Sequence, residues 1–140
     1  METMTIYEIA ANNKISVNFL PLPKSQAMSV CAADGSCHIA IDPNQLTNEA
    51  DEKVKLCHEL GHCITGSFYS IDNVLDLRGR HEYRANKWAI KQLVPIDDLL
   101  SALQRGITSL WELADYFGVT EWFMQKAYDY YHSQYPNAIK

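Results

Sequence analysis

The chain predicts an α+β fold: a small antiparallel sheet of about three strands, a helical core packed on it, and a C-terminal helical extension. Three observations carry this. Apolar and polar residues alternate over short stretches in the first third, the period of half-buried strands. From residue 49 onward apolar residues recur at three- and four-residue spacing, punctuated by caps and breakers. Finally, 140 residues with 47% hydrophobic and 21% charged content match one globular domain, residues 1–140, able to bury a core without disulfide staples.

The elements follow in order. Residues 4–12 suit a short helix. Ile15-Ser16-Val17-Asn18-Phe19 alternates as a strand, and Pro21 and Pro23 end it. Met28–Ala32 and Cys37–Ile41 read as two strands joined around Asp34-Gly35, a hairpin signal. Asp42-Pro43 closes the sheet, which spans about 14–42. Asn48, Glu49, Asp51 and Glu52 then form a cap-like acidic helix start, favourable at the positive end of the helix dipole. Val54, Leu56, Leu60 and Ile64 continue this helix over about 49–65, and Gly66 stops it. A loop holding Gly66, Asn73 and Gly79 leads to a helix over about 81–93, which ends before Pro95. Asp97 or Asp98 caps a third helix, ending near Gly106. Ser109-Leu110-Trp111-Glu112 is a capping box for a fourth. Gly118 ends that one, and Thr120 caps a fifth running to about 134. The pair of helices over about 49–94 forms the functional core, and those over about 96–134 the extension.

Charge excludes some functions. The net charge of −5 argues against a generic nucleic-acid binder. No apolar run approaches the length of a membrane helix. The segment Met1–Glu8 is acidic and lacks the basic start and apolar run of a signal peptide, so a cytoplasmic location is expected. In that compartment the four cysteines are expected as free thiols. Cys57 and Cys63 are expected as small buried hydrophobes. Cys31 and Cys37 face each other across the hairpin and are expected to stay reduced.

His58-Glu59-Leu60-Gly61-His62 is the most informative stretch. Histidines four apart on a helix are separated by about 40° around its axis and about 6 Å along it, so they share a face. Both rings can then reach one tetrahedral Zn²⁺. Glu59 between them is placed to take a proton from water at the metal. Such a site keeps three protein ligands and an open position. The next region rich in ligand types is His81-Glu82-Tyr83-Arg84-Ala85-Asn86. Glu82 is the expected third ligand, on a helix crossing the first. His81, about 100° away, is its rival and otherwise a neighbour of the site. Ala85 would allow close helix approach. Asn86, one turn beyond Glu82, is suited to orient a ligand histidine. Tyr69, His81 and Tyr83 are candidates for a separate oxyanion donor, and the sequence does not choose among them. His38 and His132 are expected to have no metal role.

The run His58–His62, then Glu82-x-x-Ala85-Asn86-x-x-Ala89, then Leu93-Val94-Pro95, resembles the ImmA/IrrE family of metallopeptidases over roughly residues 38–130. The resemblance implies a gluzincin-like, zincin-type helical core. It implies one catalytic Zn²⁺ on His58, His62 and Glu82, with Glu59 as general base. It further implies site-specific cleavage of a partner protein, a transcriptional repressor of a phage or mobile element. The chain departs from the family in carrying Gly66, where many members have a histidine four residues after the second ligand. Asn86 also stands where aspartate is common.

Two other functions compete. One is a non-catalytic zinc-binding regulator acting by protein–protein binding. The other is a helix-turn-helix transcription factor, suggested by Leu113–Thr120. Its second helix, Glu121–Tyr131, would carry one lysine, two acids and five aromatics. That is poor for phosphate contacts and better suited to core packing or a partner surface.

Overall fold

In the computed structural model, which describes residues 1–66 and 76–139 (side chains of 76–78 excepted), a small mixed sheet and five other helices surround the helix that carries the H-E-x-x-H run. That helix, α2, follows α1 (Thr3–Asn12), β1 (Ser16–Phe19), β2 (Ala27–Cys31), β3 (Cys37–Ile41) and a 3₁₀ turn, Pro43–Gln45. It spans Glu49–Thr65, the limits expected from the sequence. Asn48 caps it by accepting a hydrogen bond from the Asp51 amide, and Asp51 reaches back to the Thr47 amide. Gly66 ends it in the left-handed region at φ 65°, where a β-carbon is strained. The remaining helices are α3 (Asp76–Leu93), α4 (Ile96–Gln104), α5 (Leu110–Phe117) and α6 (Glu121–Gln134).

The α+β class with a small sheet holds, but the sheet is not wholly antiparallel. Its order is β1-β3-β2, with β1 parallel to β3 and only β2 antiparallel to it. The hairpin fixes β2 against β3. The direction of β1 is set instead by the segment after it. There the Leu22 amide donates to Asp42 and the Gln45 amide side chain donates to the Leu22 carbonyl. These bonds dock the Pro21–Pro23 segment against the end of β3, where a tight reversal onto β2 would otherwise be expected. The order makes β2 an edge strand.

Two expected helix starts also move. Helix α3 begins at Asp76, so Gly79 is helical and not part of a loop. One interior glycine costs a helix about 1 kcal/mol, and burial of Ala85, Ala89 and Leu93 further along offsets it. Helix α4 has Pro95 at its N-cap without a side-chain cap, and Asp97 and Asp98 lie inside its first turn. Expected caps Ser109 and Thr120 do accept from the amides of Glu112 and Phe123. Asn73 and Tyr69 fall outside the described residues.

The core lies around α2. Ile39 and Ile41 from β3 join Leu56 and Leu60 from α2, Ala89 and Leu93 from α3, and Phe123 and Met124 from α6. Helix α6 is therefore a core element on one face. Two buried polar contacts fasten the C-terminal helices. The Tyr131 hydroxyl donates to the Val94 carbonyl at 2.8 Å. The buried Lys53 amine donates to the carbonyls of Phe117 and Met1, both at 2.9 Å.

The cysteines depart from expectation. Cys37 and Cys63 form a disulfide, while Cys31 and Cys57 are free. Packing of β3 on α2 brings the Cα atoms of Cys37 and Cys63 to 5.8 Å, within bridging range. Sequence spacing carries no sign of that approach. Cys57 is the buried small hydrophobe expected, and burial pushes its thiol pKa up to about 12.

Helices α2 and α3 meet through small residues. A β-carbon on Gly61 would lie 2.7 Å from the Ala85 carbonyl oxygen and 3.1 Å from its Cα. These are backbone atoms, so the helices themselves must part. Gly61→Ala should therefore lower stability by about 1–2 kcal/mol in denaturant titration. Overpacking costs of about 1–3 kcal/mol outweigh the gain of about 1 kcal/mol in helix propensity. A variant as stable as the wild type would contradict this contact.

Candidate metal centre

The close α2–α3 crossing places three donor groups together. His58 and His62 stand one turn apart on α2, with ring centroids 4.8 Å apart and planes perpendicular. Glu82 on α3 meets both. One carboxylate oxygen lies 3.0 Å from His58 Nε2 and the other 3.2 Å from His62 Nε2. One donor atom from each residue falls within 4.8 Å of the other two. Tetrahedral ligands about 2.0–2.2 Å from one ion sit roughly 3.3–3.5 Å apart. The histidine–glutamate separations already approach that. Two imidazoles and a carboxylate are thus a donor set that fits a divalent ion.

The surroundings prepare each ligand. Asn86, one turn beyond Glu82, places its Oδ1 2.8 Å from His58 Nδ1. An amide oxygen can only accept, so that contact keeps a proton on Nδ1 and turns Nε2, which faces Glu82 in this structure, towards the place a metal would take. Hydrogen bonds from His58, then from His62, hold the Glu82 carboxyl well below its usual 4.5, against the opposing effect of burial. Glu82 is therefore ionised at neutral pH. His62 is buried, while His58 and Glu82 are partly open to a cavity of about 460 Å³.

Glu59 opens into the same cavity, opposite Ala27, Met28 and Ser29 of the edge strand. The Ser29 hydroxyl donates to Glu59 Oε1 at 3.1 Å. This fixes the direction of the Glu59 carboxylate from across the cleft. Ser29 did not emerge from the sequence. A usable signal existed in the strand period: Ser29 pairs with buried Ile39 and so points to the inner face, where a polar residue needs a partner.

Tyr69 lies outside the described residues, and the other expected candidates lie away from the cluster. His81 is not part of the converging cluster. Tyr83 is exposed and lines a different groove, between α3 and α6. His38 bonds Ser16 and Ser36 on the sheet, and His132 stacks on Tyr128. Neither belongs to the metal-ligating cluster.

Two crossed helices carrying His58, Glu59, His62 and Glu82 beside an edge strand define a metallopeptidase-type domain with a cluster able to hold a metal ion. The chain belongs to the Peptidase_M78 family, described as the IrrE N-terminal-like domain, whose model matches residues 10–128. No curated protein and no solved structure matched the chain.

Removing the histidine's orienting partner should weaken metal binding without removing a ligand. Asn86→Ala is expected to lower affinity about 10- to 100-fold in a competitive chelator titration. Unchanged affinity would show that His58 needs no orientation from α3.

Proposed function

We propose that this protein is a zinc-dependent peptidase that cleaves one partner protein at a defined site. The observation that carries the proposal is the placement of Glu59 in one cavity with the three donor groups and the edge strand β2. His58, His62 and Glu82 would hold the ion, and their nitrogen and oxygen donors suit zinc. The bound ion supplies Lewis acidity to the reacting carbonyl and to water. Glu59, oriented by Ser29, takes the proton of the attacking water and returns it to the leaving amine. Among the described residues the outer edge of β2 has no strand partner beside Glu59, so an extended peptide can add there as a further strand. Peptides are therefore the substrate class the cleft favours. That the partner is a transcriptional repressor of a phage or mobile element rests on the family resemblance alone.

The test incubates metal-loaded protein with any repressor found encoded beside its gene, with and without chelator. Cleavage should be chelator-sensitive. Glu59→Gln should keep its metal by elemental analysis and lose at least about 100-fold in cleavage rate. A Glu59→Gln protein that cleaves at the wild-type rate would remove Glu59 from the reaction. Binding without cleavage by the wild type would favour a non-catalytic regulator.

A cytoplasmic location belongs to the same proposal. No helix among the described residues is long and apolar enough to cross a membrane. The Cys37–Cys63 bridge opposes the proposal, because a reducing compartment keeps thiols open. Thiol labelling at the moment of lysis decides it. Four reactive thiols on denaturation place the protein in the cytoplasm, and two place it elsewhere.

A further inference from the structure

Charge is unevenly spread in this chain. Helix α3 holds Arg78, Arg80, Arg84, Lys87 and Lys91 against Asp76 and Glu82, a net +3, while the rest of the chain sums to −8. Arg80, Arg84, Lys87 and Lys91 follow one another at four- and three-residue steps, so they form a single stripe along the helix. Arg80, Arg84 and Lys91 are exposed, and Lys87 is half-buried. A basic stripe alone is an ordinary solvated face. This one borders a built groove.

Between α3 and α6 lies a cavity of about 320 Å³, with Ile90 at its floor, Tyr83 and Lys87 on one wall, and Lys126 and Tyr130 on the other. A second cavity of about 280 Å³ holds Lys55, Trp122 and Lys126 and is also lined by His58 and Glu82. The two share Asn86 and Lys126. A continuous path therefore leads from the back of the metal centre, past Asn86, to the α3–α6 groove. Three lysines face it. Two carboxylates also line it: Glu82, paired with the histidines, and Asp129, which accepts from Gln125 and keeps its charge, so the lysines outnumber them three to two. Lys126 lies over the Trp122 ring at 4.4 Å, and Trp122 is 60% exposed. Aromatic walls, an apolar floor and lysine ammonium groups together suit a chain segment with carboxylates and an apolar side chain between them.

We propose that the α3–α6 groove docks an acidic segment of the partner protein, away from the bond to be cleaved. This rests on the peptidase reading only in calling the partner a substrate. Lys87 and Lys126 receive its carboxylates, and Ile90, Tyr83 and Tyr130 receive its apolar side chain. A nucleic acid fits less well, because the remainder of the molecule carries a strong negative field that opposes a long polyanion. A short acidic segment meets only the basic stripe.

The test is fluorescence anisotropy at low salt on the full-length, metal-loaded Glu59→Gln protein. The probes are a short labelled peptide of glutamate, aspartate and leucine, its glutamine and asparagine counterpart, and a single-stranded oligonucleotide of matching charge. The acidic peptide should bind, the neutral one at least ten-fold more weakly, and added salt should weaken binding. Lys87→Glu with Lys126→Glu should weaken it at least ten-fold, and the milder Lys87→Ala with Lys126→Ala should weaken it measurably, with both folded by circular dichroism. Equal binding of the neutral peptide, tighter binding of the oligonucleotide, no binding at all, or full binding by both variants would overturn the proposal. No turnover is needed. Loss of docking would leave chelator-sensitive cleavage standing, and failure of cleavage would leave docking standing.

Discussion

The approach of α2 to α3 at Gly61 and Ala85 is the constraint on which the site depends. Glu82 and Asn86 lie on a different helix from the histidines they serve, so their reach is fixed by the distance between two backbones. A hydrogen at Gly61 lets the Ala85 carbonyl come to where a β-carbon would sit. That depth of approach lets one carboxylate touch both imidazoles and one amide touch His58. The glycine inside H-E-L-G-H is thus a packing residue, and the meeting of its histidine neighbours with Glu82 depends on it.

The sheet contributes a second constraint from the opposite side of α2. With β3 in the middle, β2 lies at the edge of the sheet among the described residues, and its inner-face Ser29 meets Glu59. A simple up-and-down meander would have buried β2 between its neighbours and left no unpaired backbone at the cavity. The parallel pairing of β1 is thus what exposes the strand next to the chemistry.

What could be read from the sequence divides along the range of the interactions. Helix α2 was legible to the residue, because an asparagine cap, a helical apolar period and a terminal glycine act within a few positions. The shared face of His58 and His62 follows from helix geometry, and the approach of Glu82 and Asn86 from their spacing along a second helix. The features that escaped are set across space. The direction of β1 depends on Leu22 meeting Asp42, the Cys37–Cys63 pairing on how β3 lies against α2, and Ser29's role on a carboxylate 30 residues away. The start of α3 escaped for another reason: Gly79 is a local breaker that burial further along the helix overrides.

The Cys37–Cys63 bridge encloses His58, Glu59 and His62 within one covalent ring. In the oxidised protein this ring persists when the fold is lost. Closing a loop of this size removes chain entropy from the denatured ensemble worth roughly 3–4 kcal/mol. A denatured chain so tethered keeps β3 near the end of the ligand helix. Renaturation then has one long-range search left to rebuild the ligand set, the return of α3 with Glu82.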